Sequence, residues 1–161
     1  MSRPLRITTV LMLLLVAACG RSSVRPAPPL SPVAARLAES ITISAIGLVG
    51  TPYRYGGNTP DSGFDCSGLI VHVYRDGAGV ALPRTVRTIA EGPWPRVSAD
   101  QLTSGDLVFF AVDGRTLAHA GIYVGDGRFV HAPSSGGTVR LDRLDSGYWQ
   151  GRVRHGMRVL R

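Results

Sequence analysis

Apolar residues near the start of the chain recur at helical spacing. Leu37, Ile41, Ala45 and Leu48 fall on one stripe of residues 34–49, and Gly50-Thr51-Pro52 supplies the stop. The spacing returns at Leu69, Ile70 and Val73, which predicts a helix over 66–74 ended by Asp76-Gly77. Between the two, residues 53–63 carry three glycines and a proline, a density that precludes a regular element. Beyond residue 106 the pattern shortens to strand-like segments at 107–112, 118–124, 128–132, 138–141 and 153–160. Residues 124–128, Val-Gly-Asp-Gly-Arg, read as a tight hairpin connection between two of them. Helices first and strands afterwards predict an α+β fold, with helices packed on one side of a mainly antiparallel sheet of five to six strands.

The pattern ahead of residue 34 is different. Arg3 and Arg6 precede an apolar stretch from Val10 to Val16 that is too short to span a bilayer, and Ala17-Ala18 closes it, so residues 1–18 read as an export signal. Cys19 follows directly, and Leu-Val-Ala-Ala-Cys-Gly resembles a bacterial lipobox, in which the thiol receives a diacylglycerol and acyl chains anchor the protein. Gly20 after the cysteine resembles lipoproteins released to the outer membrane. Residues 19–33 are rich in proline and serine and read as a tether, leaving 34–161 as the folded domain. With Cys19 lipidated, Cys66 is a free thiol in an oxidising compartment, a liability unless the thiol is used.

The 161 residues allow one compact domain, and the composition excludes a collagen, a coiled coil and a wholly disordered chain. The formal charge of +7 comes from a chain with arginine and no lysine. It does not imply a nucleic-acid partner, because Arg84, Arg87, Arg96, Arg115, Arg128, Arg140 and Arg143 lie singly between apolar residues.

The candidate chemistry centres on Cys66, which stands between Asp65 and Ser67-Gly68 at the first turn of a predicted helix. Free amides and the positive end of the helix dipole there favour the thiolate. His119 opens one strand and His131 ends its hairpin neighbour, so both imidazoles lie near the open end of the hairpin. That set fits nucleophile, base and orienting group. It lacks the paired spacing of a structural zinc site. His72 and His155 read as surface or packing residues.

Six segments in order resemble the NlpC family of bacterial cell-wall peptidases over about residues 40–160: Tyr53-Arg-Tyr-Gly-Gly57, Phe64-Asp-Cys-Ser-Gly-Leu-Ile70, Leu82-Pro-Arg-Thr85, Ser104-Gly-Asp-Leu-Val-Phe-Phe110, His119-Ala-Gly-Ile-Tyr-Val-Gly125 and Phe129-Val-His-Ala132. The resemblance implies a reduced papain-like core with Cys66 as nucleophile, His119 as base and His131 orienting it. Tyr53 matches the tyrosine that helps hold the oxyanion. Asp65, Ser67 and Thr85 match substrate-contacting positions, although Asp65 and Ser67 also suit helix capping, and Asp106 suits the turn before its strand. Arg84 stands where some relatives specific for a free N-terminal alanine carry an acid, which suits intact or cross-linked wall. The implied reaction is hydrolysis of the D-γ-glutamyl–diamino acid bond, often to meso-diaminopimelate, in peptidoglycan stem peptides, with no metal or cofactor. The alternatives are an amidase cutting before L-alanine, a non-catalytic peptidoglycan-binding lipoprotein and, more remotely, acyl transfer on lipids. Restraint of such an enzyme leaves room for an activating partner, autoinhibition or separation by the tether.

Overall fold

The computed structural model describes residues 29–161 apart from 113 and 115. The expected export signal, Cys19 and most of the expected tether lie outside the described residues. Helix α1, Pro32–Gly47, starts where Ser31 accepts the Ala34 amide on its hydroxyl and Pro32 pre-sets the first turn. The Ser31 hydroxyl also donates to the carbonyl of Arg161, tying the two ends of the domain together. Two short strands, β1 (Asn58–Thr59) and β2 (Gly63–Phe64), pair antiparallel inside the glycine-rich segment, so that segment does hold a small regular element.

Helix α2, Cys66–Ala78, runs through Asp76-Gly77, past the stop expected there. Gly77 lies against Ile41 of α1 at ordinary packing distance. Gly79, at φ 66, makes the left-handed cap that ends the helix. Helix α3, Val86–Ala90, and strand β3, Arg96–Val97, were not foreseen, being shorter than the periodicity can register.

Strands β4 (Leu107–Ala111), β5 (Leu117–Gly125), β6 (Arg128–His131), β7 (Arg140–Arg143) and β8 (Val153–Met157) complete the architecture. They join β3 in an antiparallel six-stranded sheet of order β3-β8-β4-β5-β6-β7. Asp126 and Gly127, both at positive φ, form the expected β5–β6 turn. The seventh strand starts two residues later than expected because Thr138 bridges Pro52 and the Val139 amide donates to Thr51, so this stretch serves the Tyr53 segment first.

Alternation divides the sheet into two faces. Leu107, Phe109, Ala120, Ile122 and Val130 meet α1, α2 and α3 in the main core, each large buried side chain there contributing roughly 1.5–3 kcal/mol. Val108, Phe110 and Phe129 turn to the other face and pack with Trp149. The helices are registered on the sheet at Gly105, whose carbonyl accepts the Tyr74 hydroxyl and whose bare Cα fits against Ala38.

Asp106 organises this turn as expected and does more. It accepts the Thr103 amide and holds the buried Arg158 guanidinium at 2.8 and 3.1 Å. Arg158 also donates to Gln101 and Thr103, which ends β8 earlier than the apolar pattern suggested. Asp106→Ala strands a buried cation, and urea denaturation is expected to show a loss of about 3–5 kcal/mol. A loss under 1 kcal/mol would mean that the pair is not a structural tie.

Candidate active site

Asp65, in extended conformation, caps α2 by accepting the Gly68 amide at 2.6 Å, and this places Cys66 in the first turn. Cys66 is a free, half-buried thiol. The first turn of α2 is pressed against the loop before it: a Cβ at Gly68 would meet the carbonyl of Gly57, so only glycine fits.

The ladder between β5 and β6 runs from Gly125↔Arg128 to Ile122↔Val130, which leaves the start of β5 free on that edge. There the Ala120 amide is near enough to favour the thiolate of Cys66, as are the amides of Ser67 and Cys66 itself. The thiol thus lies against the residue following His119. No side-chain hydrogen bond joins Cys66 and His119 among the described residues. Tyr53 is held by its amide on Gly137 and by its bridge to Phe64, and burial, with Cys66 and Asp65 adding to it, discourages its ionisation.

His119 and His131 alternate onto the sheet face opposite the helices, both buried. Gly121 stands between His119 and Tyr123 on β5, and a Cβ there would meet Phe129 and crowd His131. The gap lets His119 Nε2 reach His131 Nδ1 at 2.9 Å. His131 Nε2 in turn meets Asp142 Oδ2 at 3.0 Å. The same oxygen accepts Trp149 Nε1 at 2.8 Å and Arg140 Nε at 3.1 Å. Trp149 lies nearly parallel to His119, with ring centroids 5.3 Å apart, and edge-on to His131. The sequence expectation ended at His131; Asp142 and Trp149 lie in a stretch of ordinary polarity, and only the β6–β7 pairing brings them in.

The proposed substrate contacts are largely engaged with one another. Arg84 grips Asp65 through both nitrogens, at 3.0 and 2.8 Å, and also donates to Ser67. The Thr85 hydroxyl caps α3 in a reciprocal pair with Thr88. A cavity of about 440 Å³ opens beside His119, bounded by Ser134, Ser135, Arg140, Tyr148 and Trp149. His72 packs on Phe64 and His155 stacks on Phe109, so both are packing residues.

These surroundings decide the charges. Burial and the Asp65 carboxylate push the Cys66 thiol up, against the three amides, so the preference for thiolate expected from the helix start is outweighed. Burial acts to raise Asp65 itself, but hydrogen bonds from Arg84 and Gly68 leave it lowered and ionised. Burial drives His119 down to about 3, with His131 and Arg140 adding to the effect. It takes His131 down to about 4, against the pull of Asp142. The resting site therefore holds a neutral thiol and two neutral imidazoles.

The model of the NlpC/P60 family matches residues 50–158. The chain is 42% identical over 145 residues to the probable endopeptidase NlpC of Escherichia coli, covering 85% of this chain and 88% of the relative. It is 40% identical over 104 residues to murein DD-endopeptidase MepH of the same organism, covering 63% of this chain and 38% of the relative. The fold is similar to a lipoprotein-like NLP/P60 family structure from Staphylococcus aureus at TM-score 0.67 and 34% identity, covering 78% of this chain and 42% of that one. The chain thus spans well under half of some relatives that it matches.

Both depressed imidazoles bind protons more tightly once the chain unfolds. Stability is complete above pH 6.5 and falls as pH drops through the window toward 4 and 3. Thermal or urea unfolding is expected to show a loss of about 2 kcal/mol per histidine between pH 7 and pH 5. His119→Asn and His131→Asn should each flatten that slope, and an unchanged slope in both variants would contradict the neutral assignment.

Proposed function

The chain belongs to the NlpC/P60 family, and from that premise we propose that it is a cysteine peptidase hydrolysing the D-γ-glutamyl–diamino acid bond of peptidoglycan stem peptides. The observation that carries this reading is the free, half-buried Cys66 thiol in the first turn of α2, subject to the Ala120 amide of β5, while His119, the residue before Ala120, is hydrogen-bonded to His131. His119 takes the thiol proton as the sulfur attacks the glutamyl carbonyl. The Cys66 amide and the Tyr53 hydroxyl receive the negative oxygen that forms. His119 then gives its proton to the leaving amine, and the C–N bond breaks to leave a thioester. Water, deprotonated by His119, attacks that thioester and restores the thiol.

A neutral thiol beside a neutral imidazole suits this sequence, because the proton moves only as the bond forms. In this reading the leaving diamino acid departs into the cavity beside His119. Arg140 on its wall supports a diamino acid bearing a free carboxylate, as meso-diaminopimelate does. The name of MepH favours a second reading, cleavage of a bond between two D-centres in a cross-link. Lipidation at Cys19, with anchoring to the outer membrane facing the periplasm, belongs to the same proposal and rests on the lipobox resemblance.

Mass spectrometry of peptidoglycan fragments incubated with the protein is expected to show new peptides headed by the diamino acid. With Cys66→Ala, the rate should drop at least 1,000-fold while the melting temperature is retained. Peptides headed by L-alanine would identify an amidase, cleaved cross-links with intact stems the D,D reading, and unchanged turnover in Cys66→Ala would remove the nucleophile. In cells, Cys19→Ser is expected to shift the protein from the membrane to the soluble fraction. A variant still membrane-bound after a high-salt wash would disprove lipid anchoring.

A further inference from the structure

Asp142 is the third member of a diagonal that crosses three adjacent strands: His119 on β5, His131 on β6 and Asp142 on β7. In the β6–β7 ladder Asp142 pairs with Phe129 and Arg140 with His131, which puts all four on the face opposite the helices. The partners of its Oδ2 are restrictive. An indole N–H and a guanidinium can only donate, and the carboxylate, ionised in this company, can only accept.

The third partner therefore has no choice. His131 Nε2, 3.0 Å from that oxygen, must carry the proton. A neutral imidazole has one N–H, so His131 Nδ1 bears the lone pair. Across the 2.9 Å contact His119 Nε2 must then donate. The lone pair of His119 is left on Nδ1, a nitrogen that no hydrogen bond occupies among the described residues. Two relayed hydrogen bonds thus decide which atom of His119 is basic.

We infer that Asp142 is a positioning residue: it sets the tautomer of His131, and through it that of His119, so that His119 Nδ1 is the proton acceptor of the site. The inference rests on the reading of His119 as the base for Cys66. Trp149 completes the device by donating to the carboxylate while its ring lies along His119, so that oxygen and imidazole are held by one side chain. When His119 takes up a proton on Nδ1, its Nε2–H still points to His131, and the carboxylate beyond stabilises the imidazolium without any further transfer. The charged groups that act on the pair are Arg140 and Asp142.

The test is nitrogen-15 NMR of histidine-labelled full chain at pH 7, read through long-range couplings that distinguish protonated from bare ring nitrogens. Both His119 and His131 are expected as Nε2–H tautomers in the wild type, and finding either as the Nδ1–H form overturns the inference. Asp142→Ala is expected to mix the tautomers and lower kcat by roughly 10- to 100-fold with KM within about twofold. Asp142→Asn keeps a carbonyl oxygen where all the donors converge, so it should restore the single tautomer and recover at least about tenfold of the loss. An Asn variant as slow as the Ala variant while keeping the wild-type tautomers would also overturn it. Because the tautomer readout needs no substrate, a wild type with Nε2–H tautomers but no turnover would contradict the peptidase reading and leave this assignment standing.

Discussion

The carboxylate of Asp65 is the constraint on which the site depends. It accepts the amides of Gly56 and Gly68, the Ser67 hydroxyl and two nitrogens of Arg84. Those donors come from the glycine-rich loop that carries Tyr53, from the start of α2 and from the segment ahead of α3. One side chain therefore joins three chain segments around the thiol. A helix cap alone is worth about 1 kcal/mol, and the geometric tie adds a function that the cap does not have. It also opposes the thiolate, since a negative charge beside Cys66 works against the amides of the helix start. Burial first, and then this carboxylate, favour the neutral form of the Cys66 thiol.

The sheet divides the labour. Its inner face buries aliphatic and aromatic side chains against three helices, and the protein is built there. Its outer face holds a smaller aromatic cluster of Phe110, Phe129 and Trp149, and the two imidazoles are buried among those rings. Burying two histidines costs stability at mild acidity, yet it also keeps them uncharged and rigid. The hydrogen bond between them replaces the water that each ring gives up, and Asp142 supplies the acceptor for the last N–H. The stretch that carries His119 is unpaired with β6 on one strand edge, where the Ala120 amide acts on the Cys66 thiol.

Arg84 shows how one side chain changes meaning with its neighbours. As a sequence position it stood for a substrate preference. In the fold it neutralises Asp65 and braces Ser67, so the local charge of the site is smaller than a count of ionisable residues suggests. Arg140 divides its guanidinium in a similar way, bound to Asp142 at one edge and facing the cavity beside His119 at the other.

Much of the fold and part of the site were legible in the chain alone. The apolar stripe of α1, the Asp-Cys-Ser-Gly start of α2, the strand segments and the Asp126-Gly127 turn are local features, settled by spacing, capping and backbone preference within a few residues. The pairing of His119 with His131 followed from the same hairpin, because residues near its open end must approach one another. The end of α2, the late start of β7, the partner of Arg84 and the protonation of Cys66 were not legible. Neither were Asp142 and Trp149 as neighbours of the imidazoles. Each depends on residues distant in sequence: Ile41 beneath Gly77, Thr51 beside Val139, Asp65 opposite Arg84, and β7 laid against β6. Local pattern therefore determined the longer elements and where the thiol and imidazoles stand along them, but not β1, β2, α3 or β3. The contacts between elements decided which groups are buried, in which direction each ionisable group is shifted and which partners the imidazoles meet.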